Sequence, residues 1–364
     1  PTKGSKASRL ERNLQTVVDR ASGGTRKTIR RKPLFAQIRI DGKRIRTRSD
    51  DDAVGFLLSV DHDSRYWYPS EPLVEGERYT LKDCNAAYGI RRIHHFYLPR
   101  QLKSYSSLWS HAEEPESVSL RNSLKFFVQA NGLGMTVMNR FGPTHYSQVN
   151  KYFSGTLYIP SVMAESSPDY TYGNKRTRLV KAFSALLRNG EAPHAISTQS
   201  ATCLAGIPDS SIDYAFIDPP FGRNLQYSEL NQIWEAWLRV KTDRDPEAVI
   251  DSTRNREVDE YSALMREAFI EIFRVLKENR WITVEFHNSS NSVWLAIQEG
   301  LVSAGFVIAD VGILDKEKET YKQSRQGLLK KDLVISAYKP EANVERLARI
   351  AGGSAEGALR FVEG

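Results

Sequence analysis

The apolar positions between residues 211 and 340 switch period several times along the chain. A short apolar run over 213–217 has strand length and ends at Asp218-Pro219-Pro220-Phe221. Leu230, Ile233, Trp234, Trp237 and Leu238 then recur at i, i+3, i+4, i+7 and i+8, the stripe of an amphipathic helix. Leu264, Met265, Ala268, Phe269, Ile272, Phe273 and Leu276 repeat that helical pattern within 261–277, and 280–287 follows as a strand. Residues 293–304 predict a further helix, and 305–314 and 332–338 predict the last two strands. Upstream, 194–198 reads as a strand parallel to 213–217 and next to it. Strands separated by helices predict an α/β unit with an open, mostly parallel sheet and right-handed crossovers. Ligands in such sheets bind beyond the carboxyl ends of the strands, where Asp218 falls.

The N-terminal part has a different pattern. Two runs, 34–40 and 43–48, flank Asp41-Gly42 and predict a hairpin with a two-residue turn. Helices are expected between 101 and 133, with Leu120, Leu124, Phe127 and Val128 in the core, and another over 175–187. The chain divides on this basis into an α+β region over 1–150, the α/β unit over 151–340, and a C-terminal helix and tail over 341–364.

Charge sharpens that division. The 364 residues carry a net charge of +7, yet 1–103 hold 22 Lys and Arg against 12 Asp and Glu, whereas 104–364 hold 29 against 32. A basic region joined to a near-neutral one suits binding to a polyanion such as double-stranded DNA. Arg44, Arg46 and Arg48 alternate on one face of the second hairpin strand, about 6–7 Å apart, which suits a phosphate backbone. Arg91 and Arg92 lie among aromatics, and Arg140 and His145 lie in a polar, turn-rich segment, so these four are further candidate contacts. His94 and His95 read as surface or nucleic-acid contacts, and no metal is expected. Two cysteines, Cys84 and Cys203, without metal-ligand spacing suit a reducing cytoplasm. No apolar run reaches the length of a membrane span.

The tetrapeptide at 218–221 carries the chemistry. Two prolines hold the chain extended and stop the strand, so a carboxylate and carbonyls emerge together at the sheet edge. Such a loop accepts both N–H groups of an exocyclic amine while Phe221 stacks on the flipped base. Hydrogen bonds to those N–H groups favour a pyramidal, nucleophilic nitrogen, by positioning and electrostatics alone.

Residues 211–238, together with 274–288 and Ala304-Gly305-Phe306, resemble the catalytic half of bacterial and archaeal adenine-specific DNA methylases. The match covers roughly 192–340. It implies a Rossmann-like fold and transfer of a methyl group from S-adenosylmethionine to an amino nitrogen of a DNA base, in modification or phage defence. Asp218, Pro219, Pro220 and Phe221 match the family's catalytic loop, and Ser200 and Ala201 match positions that contact the cofactor adenosine. Asp218 itself counts among the cofactor-side residues. Aspartate at the first position favours adenine N6 over cytosine N4, with RNA adenine as a further alternative. The family's glycine-rich cofactor loop is not visible in the sequence; Gly132-Leu133-Gly134 follows a helical pattern instead of a strand. The chain is therefore expected to be a fragment, a processed product or the larger piece of a split enzyme. The cofactor loop would lie on a missing N-terminal segment or a partner subunit, and a non-catalytic recognition subunit is the competing reading.

Overall fold

The computed structural model describes residues 14–29, 31, 33–41, 43–48, 65–77, 79, 89–143, 146–148, 157–188, 193–287, 290–314 and 332–341. The chain forms two compact units, the first from Pro1–Ala192 with Tyr227–Thr242, the second from Pro193–Gln226 with Asp243–Gly364. The sequence placed the boundary at 150; the compact units divide at 192, and a helix from beyond the motif belongs to the first unit.

Among the described residues of the first unit are three antiparallel pairs: β1 (Leu14–Asp19) with β2 (Gly24–Ile29), β3 (Phe35–Ile40) with β4 (Lys43–Arg48), and β5 (Arg140–Gly142) with β6 (Tyr146–Gln148). The β3–β4 pair has the expected register, with Ile40 opposite Lys43 and Asp41 in the left-handed region at φ 46°. Its helices are α1 (Pro99–Glu113), α2 (Val118–Gln129), α3 (Pro168–Arg188) and α4 (Tyr227–Leu238). Pro99 opens α1 with a pre-set φ, while the Gln101 carboxamide accepts the Leu98 N–H at 3.0 Å. Ser117 caps α2 by accepting the Leu120 N–H at 3.4 Å.

The core of this unit is aromatic. Trp237 of α4 stands edge-on to Tyr105 at 4.5 Å and packs on Tyr97 and Trp109, and its indole N–H donates to the Tyr97 hydroxyl at 2.9 Å. That bond satisfies a polar group that burial would otherwise leave costly. Leu230 and Ile233 of α4 are buried as the stripe requires, whereas Leu238 stays 41% exposed at the helix end. Leu120, expected in the core, is 51% exposed because only the Val128 side of α2 is fully covered.

In the second unit, α5 (Val258–Val275) and α6 (Asn291–Ala304) accompany a four-stranded mixed sheet: β7 (Ile212–Ile217), β8 (Leu276–Phe286), β9 (Val307–Leu314) and β10 (Asp332–Tyr338). The spatial order is β7-β8-β10-β9, with β7 and β8 parallel and β10 antiparallel to both of its neighbours. This is a mixed α/β unit of Rossmann-like kind, with one correction. The last strand enters between β8 and β9 from the opposite direction, so three of the four strands share an orientation. The Glu260 carboxylate accepts the Glu257 N–H at 2.9 Å at the start of α5, and Gly305 ends α6 at φ 105° with its amide bonded to Leu301 and Val302.

One face of the sheet carries the core. Ile282, Val284, Phe286, Ile335 and Ala337 pack with Met265, Phe269 and Ile272 of α5 and with Val293, Ile297 and Leu301 of α6. Residues on the opposite phase are open: Tyr214 is 54% exposed, Phe216 59% and Trp281 44%. The strand expected at 194–198 does not form. Residues 193–200 take no regular structure, and Ile196 is 92% exposed, because no strand pairs with them among the described residues. Among those residues the neighbour of β7 is β8 alone. The helix expected beyond 341 lies outside the described residues. Among the described residues no helix is long and apolar enough to cross a membrane.

Trp237→Ala removes the centre of the aromatic cluster and leaves a large cavity. It is expected to destabilise the first unit by about 3–5 kcal/mol, measured as a shift in the circular-dichroism denaturation midpoint.

Candidate functional site

The loop at the carboxyl end of β7 is held from several sides. Ile217 is level with Val284 in the parallel pair, so Asp218 leaves the sheet at the edge where β8 also ends. Asp218 is exposed and Pro219 buried. The Tyr261 hydroxyl, from the first turn of α5, donates to the Pro220 carbonyl at 2.7 Å. Gly222 turns the chain at φ 64°, a conformation that suits glycine, and its carbonyl accepts the Ile250 N–H at 3.4 Å. The buried Gln226 amide donates back to the Ile250 carbonyl at 2.9 Å, and Asn224 Nδ2 donates to the His287 carbonyl at 3.3 Å.

Phe221 is half-buried. It meets Phe286 edge-on at 5.6 Å and His287 at 6.3 Å, so its ring is oriented by the end of β8. Residues 249–251, which clamp the loop, are themselves fixed by Asp251. That buried carboxylate accepts the Thr253 N–H at 2.9 Å, the Thr253 hydroxyl at 2.6 Å and Arg254 Nε at 2.7 Å. Burial opposes its charge, but the bonds from Thr253 and Arg254 outweigh burial and hold the carboxyl below its ordinary range.

The stretch leading into β7 is tied to α5 by a second ionic pair. Glu271 accepts the Leu204 N–H at 2.8 Å, and Arg274 donates to the carbonyls of Leu204 and Ile207 at 3.0 Å each. Ser200 and Ala201 lie just upstream. Ala201 is exposed, and the exposed Ser200 hydroxyl bonds Thr202 Oγ1 at 2.8 Å and accepts the Thr202 N–H at 3.3 Å, closing a local turn. These residues give no enclosure for a nucleoside by themselves. Gly132-Leu133-Gly134 forms a 3₁₀ turn of the first unit, with Gly132 against the Tyr105 hydroxyl, and has no preceding strand.

The candidate nucleic-acid contacts are dispersed in the first unit. Arg44, Arg46 and Arg48 occupy alternate positions of β4, opposite Arg39, Gln37 and Phe35. Arg91 is exposed, whereas Arg92 donates to the Ser70 carbonyl at 2.8 Å. Arg140 starts β5, and His145 lies outside the described residues.

His94 and His95 are a correction: neither is on the surface. Both are buried, and their Nε2 atoms meet the two oxygens of Asp19 at 2.8 and 3.2 Å. Burial and the neighbouring Arg26 push the His95 imidazole down to about 3, so it is neutral at physiological pH. The Arg91 N–H donates to His95 Nδ1 at 3.1 Å, which places the ring proton on Nε2, facing Asp19. Three buried groups of metal-binding type thus converge, but His95 presents a proton and not a lone pair to the centre of the cluster. The arrangement works as a hydrogen-bonded latch between the end of β1 and residues 93–96. Sequence spacing gave no sign of Asp19, which lies 75 residues before His94.

Glu229 of α4, a few residues beyond the motif, is fully buried within the first unit and accepts the Tyr79 N–H at 3.2 Å. Gln232 similarly accepts the Val74 N–H at 2.9 Å. Tyr261, Ile250 and Gln226 position the loop, yet sequence reading assigned them no such part.

No protein-family model matches the chain, and no curated protein does. Among solved structures, TTHA0409 of Thermus thermophilus is provisionally assigned as a DNA modification methylase and was crystallised with S-adenosyl-L-methionine. It aligns over 41% of this chain and 59% of its own at 15% identity, with a TM-score of 0.23. A precorrin-6y C5,15-methyltransferase from Geobacter metallireducens GS-15 aligns over 48% and 64% at 16% identity and TM-score 0.22. A SAM-dependent methyltransferase from Methanosarcina mazei aligns over 45% and 76% at 15% identity and TM-score 0.23. This chain therefore spans under two thirds of the Thermus protein, and likeness of this order says nothing about its chemistry.

Glu271 yields a pH test. Hydrogen bonds from Arg274 and Leu204 hold its carboxyl down to about 2 from its ordinary 4.5. A carboxylate depressed by folding stabilises the fold above the unfolded value and loses that contribution as pH falls from 4.5 towards 2. Glu271→Gln should flatten the drop in melting temperature across that window, measured by scanning calorimetry.

Proposed function

We propose that this chain carries the amine-accepting site of a DNA adenine-N6 methyltransferase that uses S-adenosylmethionine. The observation that supports the reading best is the clamped Asp218-Pro219-Pro220-Phe221 loop at the carboxyl end of β7. A carboxylate and an adjacent backbone carbonyl are the acceptors that the two N–H groups of an aromatic amine require. In this reading Asp218 and the Pro219 carbonyl take those protons, and Phe221 orients the extruded base.

The donor supplies an electrophilic methyl group on a sulfonium. The amine nitrogen gives its electron pair to that carbon, a C–N bond forms as the S–C bond breaks, and the sulfur leaves as a neutral thioether. The nitrogen then carries the positive charge and loses one proton, for which Asp218 is the acceptor in this reading. Positioning and electrostatics carry the rate, without a covalent enzyme intermediate. The basic hairpin β3–β4 would bind the flanking duplex through its phosphates.

Ser200 and Ala201 remain candidates for the donor side, but the described residues do not complete it. A strand carrying the glycine-rich turn, from a further segment or a partner subunit, would pair with the open edge of β7. The position of β7 at the end of the order β7-β8-β10-β9 favours such a completion, because an edge strand presents backbone groups to which another strand can pair. A DNA-recognition subunit without catalysis is the second reading, favoured by the lack of a Gly-x-Gly turn leading from a strand among the described residues. Calorimetric titration with S-adenosylmethionine separates them: no binding by this chain alone, with binding and methylation restored on completion, is expected. Stoichiometric binding by the chain alone would remove the need for a further strand.

In the complete enzyme, Asp218→Ala should lower methyl transfer to DNA by about 100-fold or more, read as transfer of labelled methyl; intact transfer would remove Asp218 from the chemistry. Arg44, Arg46 and Arg48 replaced together by alanine should weaken DNA binding and flatten its salt dependence by about one ion for each phosphate no longer neutralised. An unchanged slope would take β4 out of the interface.

A further inference from the structure

We propose that Tyr261 is a positioning residue for the methyl-accepting site, which sets the Asp218–Phe221 loop by engaging the Pro220 carbonyl and so assigns the Pro219 carbonyl to the target amine. The proposal rests on the methyltransferase reading and adds to it a residue outside the tetrapeptide.

Tyr261 is fully buried in the apolar cluster with Met265, Phe269 and Ile282. A phenylalanine would fill the same volume there without a polar atom to satisfy. A buried hydroxyl is costly unless it finds a partner, and this one finds the Pro220 carbonyl at 2.7 Å. Neither proline can donate a backbone hydrogen bond, so the loop cannot be set by its own amides at 219 and 220. It is set from outside instead: by Tyr261 at Pro220, by the Ile250 N–H at the Gly222 carbonyl, and by Asn224 to the His287 carbonyl. Of these, the Tyr261 bond acts inside the tetrapeptide itself. It turns the Pro220 carbonyl into the interior, and the preceding peptide is thereby oriented between this anchor and the strand end at Ile217. A small rotation of that peptide would move the Pro219 carbonyl relative to the Asp218 carboxylate, and misplacement on the ångström scale is expensive in rate.

The test compares Tyr261→Phe with the wild type in the complete, DNA-methylating enzyme. The variant keeps the ring and the packing. The expected result is a fall in kcat of about 10- to 100-fold, with KM for DNA, donor affinity and melting temperature close to wild type. Duplexes carrying 2-aminopurine at the target should still show the fluorescence rise of an extruded base. In protein labelled with carbonyl-13C proline, the Pro220 resonance should shift towards that of a carbonyl lacking a hydrogen-bond donor. Unchanged kcat, or a loss of activity that follows only a loss of folded protein, would overturn the positioning role. A parallel rise in KM for DNA would overturn it too, by assigning Tyr261 to binding. A wild type that binds donor and DNA but methylates no base would overturn the underlying reading, and Tyr261 with it.

Discussion

The parallel pairing of β7 with β8 is the constraint on which the site depends. It brings the end of an apolar strand, Ile217, level with Val284, so Asp218 and His287 emerge at one sheet edge although 69 residues separate them. Among the described residues the pairing is buried on one face, where Ile282, Val284 and Phe286 meet α5 and α6. The same packing delivers Tyr261 to the Pro220 carbonyl and the Phe286 edge to Phe221. Core and site are therefore one set of contacts: a residue that stabilises the sheet also orients the loop.

The polar residues around the loop follow from its composition. A Pro-Pro pair leaves two peptide nitrogens without hydrogens, so the surrounding chain must supply donors to the loop's carbonyls. Tyr261 and Ile250 fill that need from two different segments, at the Pro220 and Gly222 carbonyls, while Asn224 ties the loop to the His287 carbonyl. Asp251 performs the corresponding task one layer out, where its contacts with Thr253 and Arg254 keep residues 249–251 in place. The first unit uses a different economy, in which rings and their few polar atoms satisfy one another, as in the Trp237–Tyr97 bond and the Asp19 latch on His94 and His95.

Local order was read well wherever periodicity was strong. The stripe in 261–277 became α5, residues 293–304 became α6, 332–338 became β10, and the runs 34–40 and 43–48 paired as the β3–β4 hairpin. In each case side-chain alternation or the 3.6-residue period states which face is buried, and that information is local. Residues 194–198 have a strand-like pattern as well, but a strand exists only through a partner strand, and none pairs with them among the described residues. Leu120 failed for a related reason, since amphipathicity predicts a face but not how much of it neighbours cover.

The sequence by itself determined that 218–221 ends a strand with a carboxylate followed by two prolines and an aromatic ring, because φ restriction and the missing N–H groups are properties of those residues alone. It also determined the alternation that commits β8 and β10 to a buried face. Only tertiary structure decided that β10 enters antiparallel between β8 and β9, and that α4 joins the aromatic core of the first unit. It alone decided that Tyr261 reaches back 41 residues to the Pro220 carbonyl. These are pairings between distant segments, and their energies depend on geometry that no local period encodes.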